Sequence, residues 1–107
     1  MENVNDTLSY EEKIEKLHMY YTAREQVNQT MEELAELVVE MSKANRGFDN
    51  RDAVIEEMAD VLFCFEYITR IFSISEKELN DMMKYKIDRQ LDRMNKEKLN
   101  TTRKGEK

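Results

Sequence analysis

AVIEEMADVLFCFEYITRIF, residues 53–72, decides the fold. Neither glycine nor proline interrupts it, and apolar residues occupy most of a helical circumference, which predicts a central helix over Ala53–Phe72 packed on several sides. Residues three, four and seven apart share a helix face. Glu57 therefore falls on the stripe of Val61, Cys64 and Ile68, and Asp60 beside Cys64, Tyr67 and Ile71. Removing an ionised carboxylate from water costs several kcal/mol, and two neighbouring ones also repel. Such a pair must be protonated, matched by bases or neutralised by a cation. No Lys or Arg stands one turn from either acid within this helix, so an intrahelical salt bridge is not the answer.

Working outward, Asn45-Arg46-Gly47-Phe48-Asp49-Asn50-Arg51-Asp52 is the clear internal loop, with Gly47 as helix terminator and Asn50 or Asp52 as N-cap. Before it, a helix is expected from near Ala23 to Asn45, with Thr22 a weak break from an earlier helix. That first helix is opened by the capping-box pair Ser9 and Glu12 and runs to about Tyr21. Ser75 and Glu78 repeat the capping pattern and open a fourth helix reaching about Lys96. The prediction is all-α with four helices: a flexible N-terminus over 1–8, a helical domain over 9–97 and a flexible polar tail over 98–107. The chain has 107 residues, no proline and two glycines, which suits one small helical domain with a modest core. Self-association is expected to cover leftover apolar surface.

The second helix carries Glu32, Glu33, Glu36 and Glu40. Its apolar face is expected along Met31, Leu34, Ala35, Val38 and Met41, which leaves a solvated face as an equal reading of the glutamates. Glu33 lies at the border, one turn before Leu37. Helices joined by a short loop pack antiparallel, so two acids from each could converge on a hard divalent cation. Oxygen ligands suit Mg²⁺ or Mn²⁺ rather than zinc.

Glu32-Glu33-Leu34-Ala35-Glu36 and Glu56-Glu57-Met58-Ala59-Asp60 resemble the paired E-E-x-x-E and E-E-x-x-D motifs of the MazG-like all-α nucleotide pyrophosphohydrolases. The one-loop separation, the Val61-Leu62-Phe63 that follows, and the basic segment Lys84-Tyr85-Lys86-Ile87-Asp88-Arg89-Gln90-Leu91 are similar too. The resemblance covers roughly Tyr20 to Met94; Tyr21-Thr22-Ala23 departs from it, where small relatives often carry a glycine. It implies a MazG-like bundle assembled by helix packing between subunits, as a homodimer or homotetramer. It also implies Mg²⁺-dependent hydrolysis of a nucleoside triphosphate to monophosphate and pyrophosphate. The implied metal ligands and catalytic acids are Glu33, Glu36, Glu57 and Asp60. Phosphoryl transfer also needs positive charge, for which Lys43, Arg46, Lys86, Arg89 and Arg93 are the candidates.

A net charge of −6 argues against a nucleic-acid partner. Asp60, Glu66, Thr69 and Arg70 interrupt the longest apolar stretch, so no membrane span is expected. The single cysteine, Cys64, suits a reducing cytoplasm and reads as a core residue. Glu15 and His18 have the spacing of a di-iron half-site, but that design needs two histidines and the chain has one. Arg70 and Lys96 read as surface charges. The rival functional reading is a non-catalytic helical interaction module, such as a phage or plasmid regulatory protein.

Overall fold

The computed structural model describes residues 7–105, with side chains through residue 101. Four helices follow in order, with no strand among the described residues: α1 (Tyr10–Tyr20), α2 (Ala23–Asn45), α3 (Arg51–Ile71) and α4 (Glu76–Gly105). The all-α expectation holds. The expected flexible N-terminus lies almost wholly outside the described residues. At the other end α4 continues past Lys96 to Gly105. The chain divides into two units, up to Ser73 and from Ile74 onward.

Local chemistry places the helix ends. The Ser9 hydroxyl accepts from the Glu12 amide while the Ser9 amide donates to the Glu12 carboxylate, and Thr22 and Glu25 repeat the exchange at the head of α2. A capping box is worth about 1 kcal/mol at each end it closes. The break at Thr22 is thus a firm helix start, and its T-x-x-E pattern is visible in the sequence. Gly47, at φ +93, ends the α2 turn in a conformation that side chains rarely adopt. Asn50 is the N-cap residue of α3 but makes no side-chain cap bond. Its amide instead donates to the Glu40 carbonyl at 2.9 Å and the Glu40 carboxylate at 2.7 Å.

In the first unit α2 and α3 form the main packed pair, and α1 lies against α3. The described side chains bury only Ile14, Val61, Cys64 and Tyr67 as an apolar core. Gln26 and Thr30 are buried with them. The α2 line that meets α3 is therefore largely polar: Gln26, Thr30, Glu33, Leu37 and Glu40 are all buried or half-buried. Its expected apolar stripe faces out instead, with Met31, Leu34, Val38 and Met41 exposed. Central α3 is likewise covered on fewer sides than its composition predicts, since Ile55, Met58, Leu62 and Phe65 are exposed.

Gln26 holds the corner between α1 and α2. Its Nε2 donates to the carbonyls of His18 (2.8 Å) and Tyr21 (2.7 Å), and its Oε1 stands 2.7 Å from His18 Nδ1. Two part-buried carbonyls at the end of α1 thereby gain a donor from the buried Gln26 side chain. Tyr67 packs edge-on to Phe63 at 5.1 Å, with the His18 ring 6.5 Å away. Arg70 is no free surface charge. Its guanidinium reaches Glu66 at 2.9 Å on its own helix, and Glu15 at 2.9 Å and Glu11 at 3.0 Å on α1.

The second unit is the single helix α4. Ser75 and Glu78 exchange capping bonds at its start, and Lys77 pairs with Asp81 at 2.7 Å. Leu79, Met83, Ile87, Leu91 and Met94 are exposed along its length.

Candidate metal centre

The antiparallel pairing of α2 with α3 brings the sequence-selected acids together. Running up α2 and down α3, Thr30 meets Cys64, Glu33 meets Asp60, Glu36 meets Glu57, and Glu40 meets Asn50 of the loop. Glu33, Glu36 and Glu57 each contribute an oxygen to a cluster whose members lie within 4.8 Å of one another. Glu33 and Glu57 are half-buried and Glu36 is exposed. Asp60, half-buried, stands outside that triple and joins it through Glu33. Each helix supplies two acids three residues apart, so both face the groove from one helical stripe.

The electrostatics of the group are unfavourable as it stands. Glu33 Oε2 and Glu57 Oε2 are buried without a hydrogen-bond donor. Ionised carboxylates are acceptors only, so the approach of Glu33 to Asp60, or of Glu57 to Glu36, becomes a hydrogen bond only when one partner holds a proton. Burial, the shared proton with Asp60 and the charges of Asp60, Glu36 and Glu57 push the Glu33 carboxyl up to about 7. Glu57 is raised for the same kinds of reason, burial first and then Glu36. Glu40, one turn beyond Glu36, is the contrast. The Asn50 amide and then Lys43 donate to it and hold its carboxyl below the usual range. Its negative charge is matched locally, whereas that of the cluster is not.

The donor set fits a hard cation. Two oxygens across an octahedral Mg²⁺ at about 2.1 Å stand roughly 4.2 Å apart. A triple spanning no more than 4.8 Å closes on one such ion with side-chain shifts below about 1 Å. The two donorless oxygens would gain a partner that no described side chain supplies.

The basic candidates are placed differently. Lys43 forms an ion pair with Glu40 at 3.1 Å. Arg46 donates from Nε to the Ser42 carbonyl at 3.3 Å and lies over the Phe48 ring at 5.7 Å. Both sit at the end of α2, two or more turns past Glu36. Lys86, Arg89 and Arg93 are exposed on α4, with Arg89 5.7 Å over the Tyr85 ring. Glu15 and His18, the di-iron half-site spacing, are engaged separately by Arg70 and Gln26. Cys64 is fully buried beneath Glu33 and Asp60, and burial raises its thiol away from thiolate reactivity. The Asn50–Glu40 clamp is the local feature that sequence reasoning missed; the N-cap preference of Asn concealed a side chain turned back to α2. No helix among the described residues is long and apolar enough to cross a membrane.

In comparisons with family models, curated proteins and solved structures, nothing matches this chain.

Proposed function

We propose that this protein is a Mg²⁺-dependent nucleoside triphosphate pyrophosphohydrolase, releasing a nucleoside monophosphate and pyrophosphate. The observation that carries the reading is the cluster of Glu33, Glu36 and Glu57, with two buried carboxylate oxygens that no donor satisfies. Repulsive burial of this kind is expensive in an unliganded fold and persists where a cation offsets it. The MazG-like resemblance of the two acidic motifs points the same way.

In this reading Glu33, Glu36, Glu57 and Asp60 hold Mg²⁺, with Mn²⁺ as a substitute. The ion supplies charge neutralisation and polarisation at the phosphate oxygens. The chain itself does the rest. The α2–α3 pairing fixes the four carboxylates before substrate arrives, so little reorganisation is needed. A carboxylate of the group orients the attacking water or takes its proton. Lys43 and Arg46 offset part of the remaining phosphate charge. The substrate is a (deoxy)nucleoside triphosphate, and the assembly a homodimer or homotetramer. The acidic balance of the chain disfavours nucleic acid, and a reducing cytoplasm suits its single thiol.

A second reading, a non-catalytic helical interaction module, draws on the exposed apolar residues of α2 and α3. One assay separates the two. Purified protein is incubated with canonical and deoxy nucleoside triphosphates and Mg²⁺ or Mn²⁺, and pyrophosphate and nucleotide products are measured, with Glu57→Gln as control. Monophosphate and pyrophosphate from the wild type alone establish the reaction. No product across the panel, with no metal-induced rise in melting temperature, excludes it in favour of the module.

A further inference from the structure

Beyond Glu36 on the same stripe of α2 come Glu40 and then Lys43, the first basic side chain after the acid cluster. At 1.5 Å per residue, the Lys43 backbone lies about 10 Å past that of Glu36, a gap that a bound polyphosphate and an extended lysine close together. Glu40 stands between them and holds the ammonium at 3.1 Å, with the lysine side chain 42% exposed and that of Glu40 16%. The Lys43 carbonyl accepts from the amides of Arg46 at 3.0 Å and Phe48 at 3.1 Å. The turn thus fixes the backbone of Lys43 and leaves its side chain to redirect.

The two oxygens of Glu40 have separate donors. Lys43 Nζ donates to Oε1, while Asn50 Nδ2 donates to Oε2 at 2.7 Å and also to the Glu40 carbonyl at 2.9 Å. Both hold the Glu40 carboxyl below its usual range, Asn50 first and Lys43 after it. A part-exposed ion pair within one helix contributes little, whereas a largely buried carboxylate stripped of its donors is costly. With Asn50 in place, Glu40 keeps a donor after the ammonium leaves. Without Asn50, Lys43 is the one described side-chain donor left to that carboxylate, and its departure strands the charge.

We propose that Asn50 is a positioning residue that makes Lys43 available to an anionic ligand: by holding Glu40 through Oε2, it lets the ammonium leave Oε1 and pair with a phosphate bound at the acid cluster. The inference rests on the phosphate-binding part of the proposed function and not on turnover. The exchange swaps one charge-assisted contact for another, and the ammonium keeps its protons throughout. Lysine suits it, being a compact charge on a flexible four-carbon stem.

The test is the binding of inorganic tripolyphosphate to the full chain, by calorimetry, at a Mg²⁺ concentration saturating for each variant. Lys43→Met should weaken binding roughly tenfold, the worth of one bond to a charged group, and Asn50→Ala by at least about threefold. Glu40→Gln keeps the shape but not the charge that detains the ammonium, and it should bind at least as tightly as the wild type. The double variant Asn50→Ala with Glu40→Gln decides the matter: affinity should return to within about twofold of the wild type. Were Asn50 only a tie between the loop and the Glu40 carbonyl, the double variant would stay as weak as Asn50→Ala, which overturns the proposal. Unchanged affinity in Lys43→Met overturns it as well, as does a wild type that takes up no tripolyphosphate. Should Asn50→Ala fail to fold, Glu40→Gln is judged alone and in a Lys43→Met background. It should bind more tightly than the wild type alone and add nothing once Lys43 is gone; binding weaker than the wild type refutes the exchange. Nucleotide hydrolysis is read separately. These dependences without turnover defeat the catalytic reading alone, and turnover without them defeats only this proposal.

Discussion

Replacing Glu33 by Gln should raise the stability of the metal-free protein at pH 8 and remove most of its response to Mg²⁺. Glu33 titrates near 7 in the fold against 4.5 for the ordinary carboxyl. Each pH unit of difference is worth about 1.4 kcal/mol, so a shift of this size has a ceiling of roughly 3 kcal/mol. Partial contact with water reduces that to on the order of 1–2 kcal/mol. An acid with raised affinity binds its proton more tightly folded than unfolded. Its contribution is therefore complete below about pH 4.5 and is lost as pH climbs through about 7. Glu25, Glu40 and Glu78 are held low by caps and donors and titrate beneath that window. Gln has the same shape, carries no charge and can donate to Asp60. At fixed protein concentration in chelator at pH 8, its melting temperature should exceed that of the wild type by roughly 5–10 °C, at about 4–8 °C per kcal/mol for a domain of this size. At pH 5 the two should nearly coincide, and millimolar Mg²⁺ should raise the wild type far more than the variant. A variant that melts at or below the wild type in chelator at pH 8 refutes the account of Glu33 as a repelled, donorless carboxylate.

Two further outcomes follow from the described contacts. Gln26→Ala deprives two part-buried carbonyls and His18 of their partner and should cost about 1–3 kcal/mol in chemical denaturation; a loss under about 0.5 kcal/mol contradicts the role given to this corner. Asn50→Ala removes both bonds to Glu40 and should cost about 1–2 kcal/mol. The same change should weaken Mg²⁺-dependent stabilisation several-fold by loosening the register of α2 on α3. Unchanged metal response in a folded Asn50→Ala variant argues that the register is set elsewhere.

The helix ends were legible because capping is local. Ser9 with Glu12 and Ser75 with Glu78 declare themselves within four residues, and Thr22 with Glu25 carries the same signature at a break that looks weak from composition alone. Glu57 and Asp60 stood out because acids in an apolar stripe are costly wherever that stripe packs. Glu33 was harder to place, since the α2 line against α3 is mostly polar and hydrophobic periodicity marks the neighbouring stripe through Leu34 and Val38. That stripe is real but lies on the surface of the single chain. Arg70 could not be read correctly from its neighbours, because two of its three partners come 55 and 59 residues earlier. Asn50 was legible as a cap residue but not as a clamp, since its partner is ten residues back on another helix.

The bonds of Gln26 also decide where a proton resides. With both hydrogens of its amide nitrogen directed at the carbonyls of His18 and Tyr21, its oxygen is left to face the imidazole and must accept. Nδ1 of His18 then carries hydrogen in the neutral ring, and the lone pair belongs to Nε2. Adding a second proton places it on Nε2 and leaves the bond to Gln26 in force. The tautomer is thus selected by backbone oxygens at the end of α1, and the turn between the first two helices keeps this contact in either charge state of the chain's single histidine.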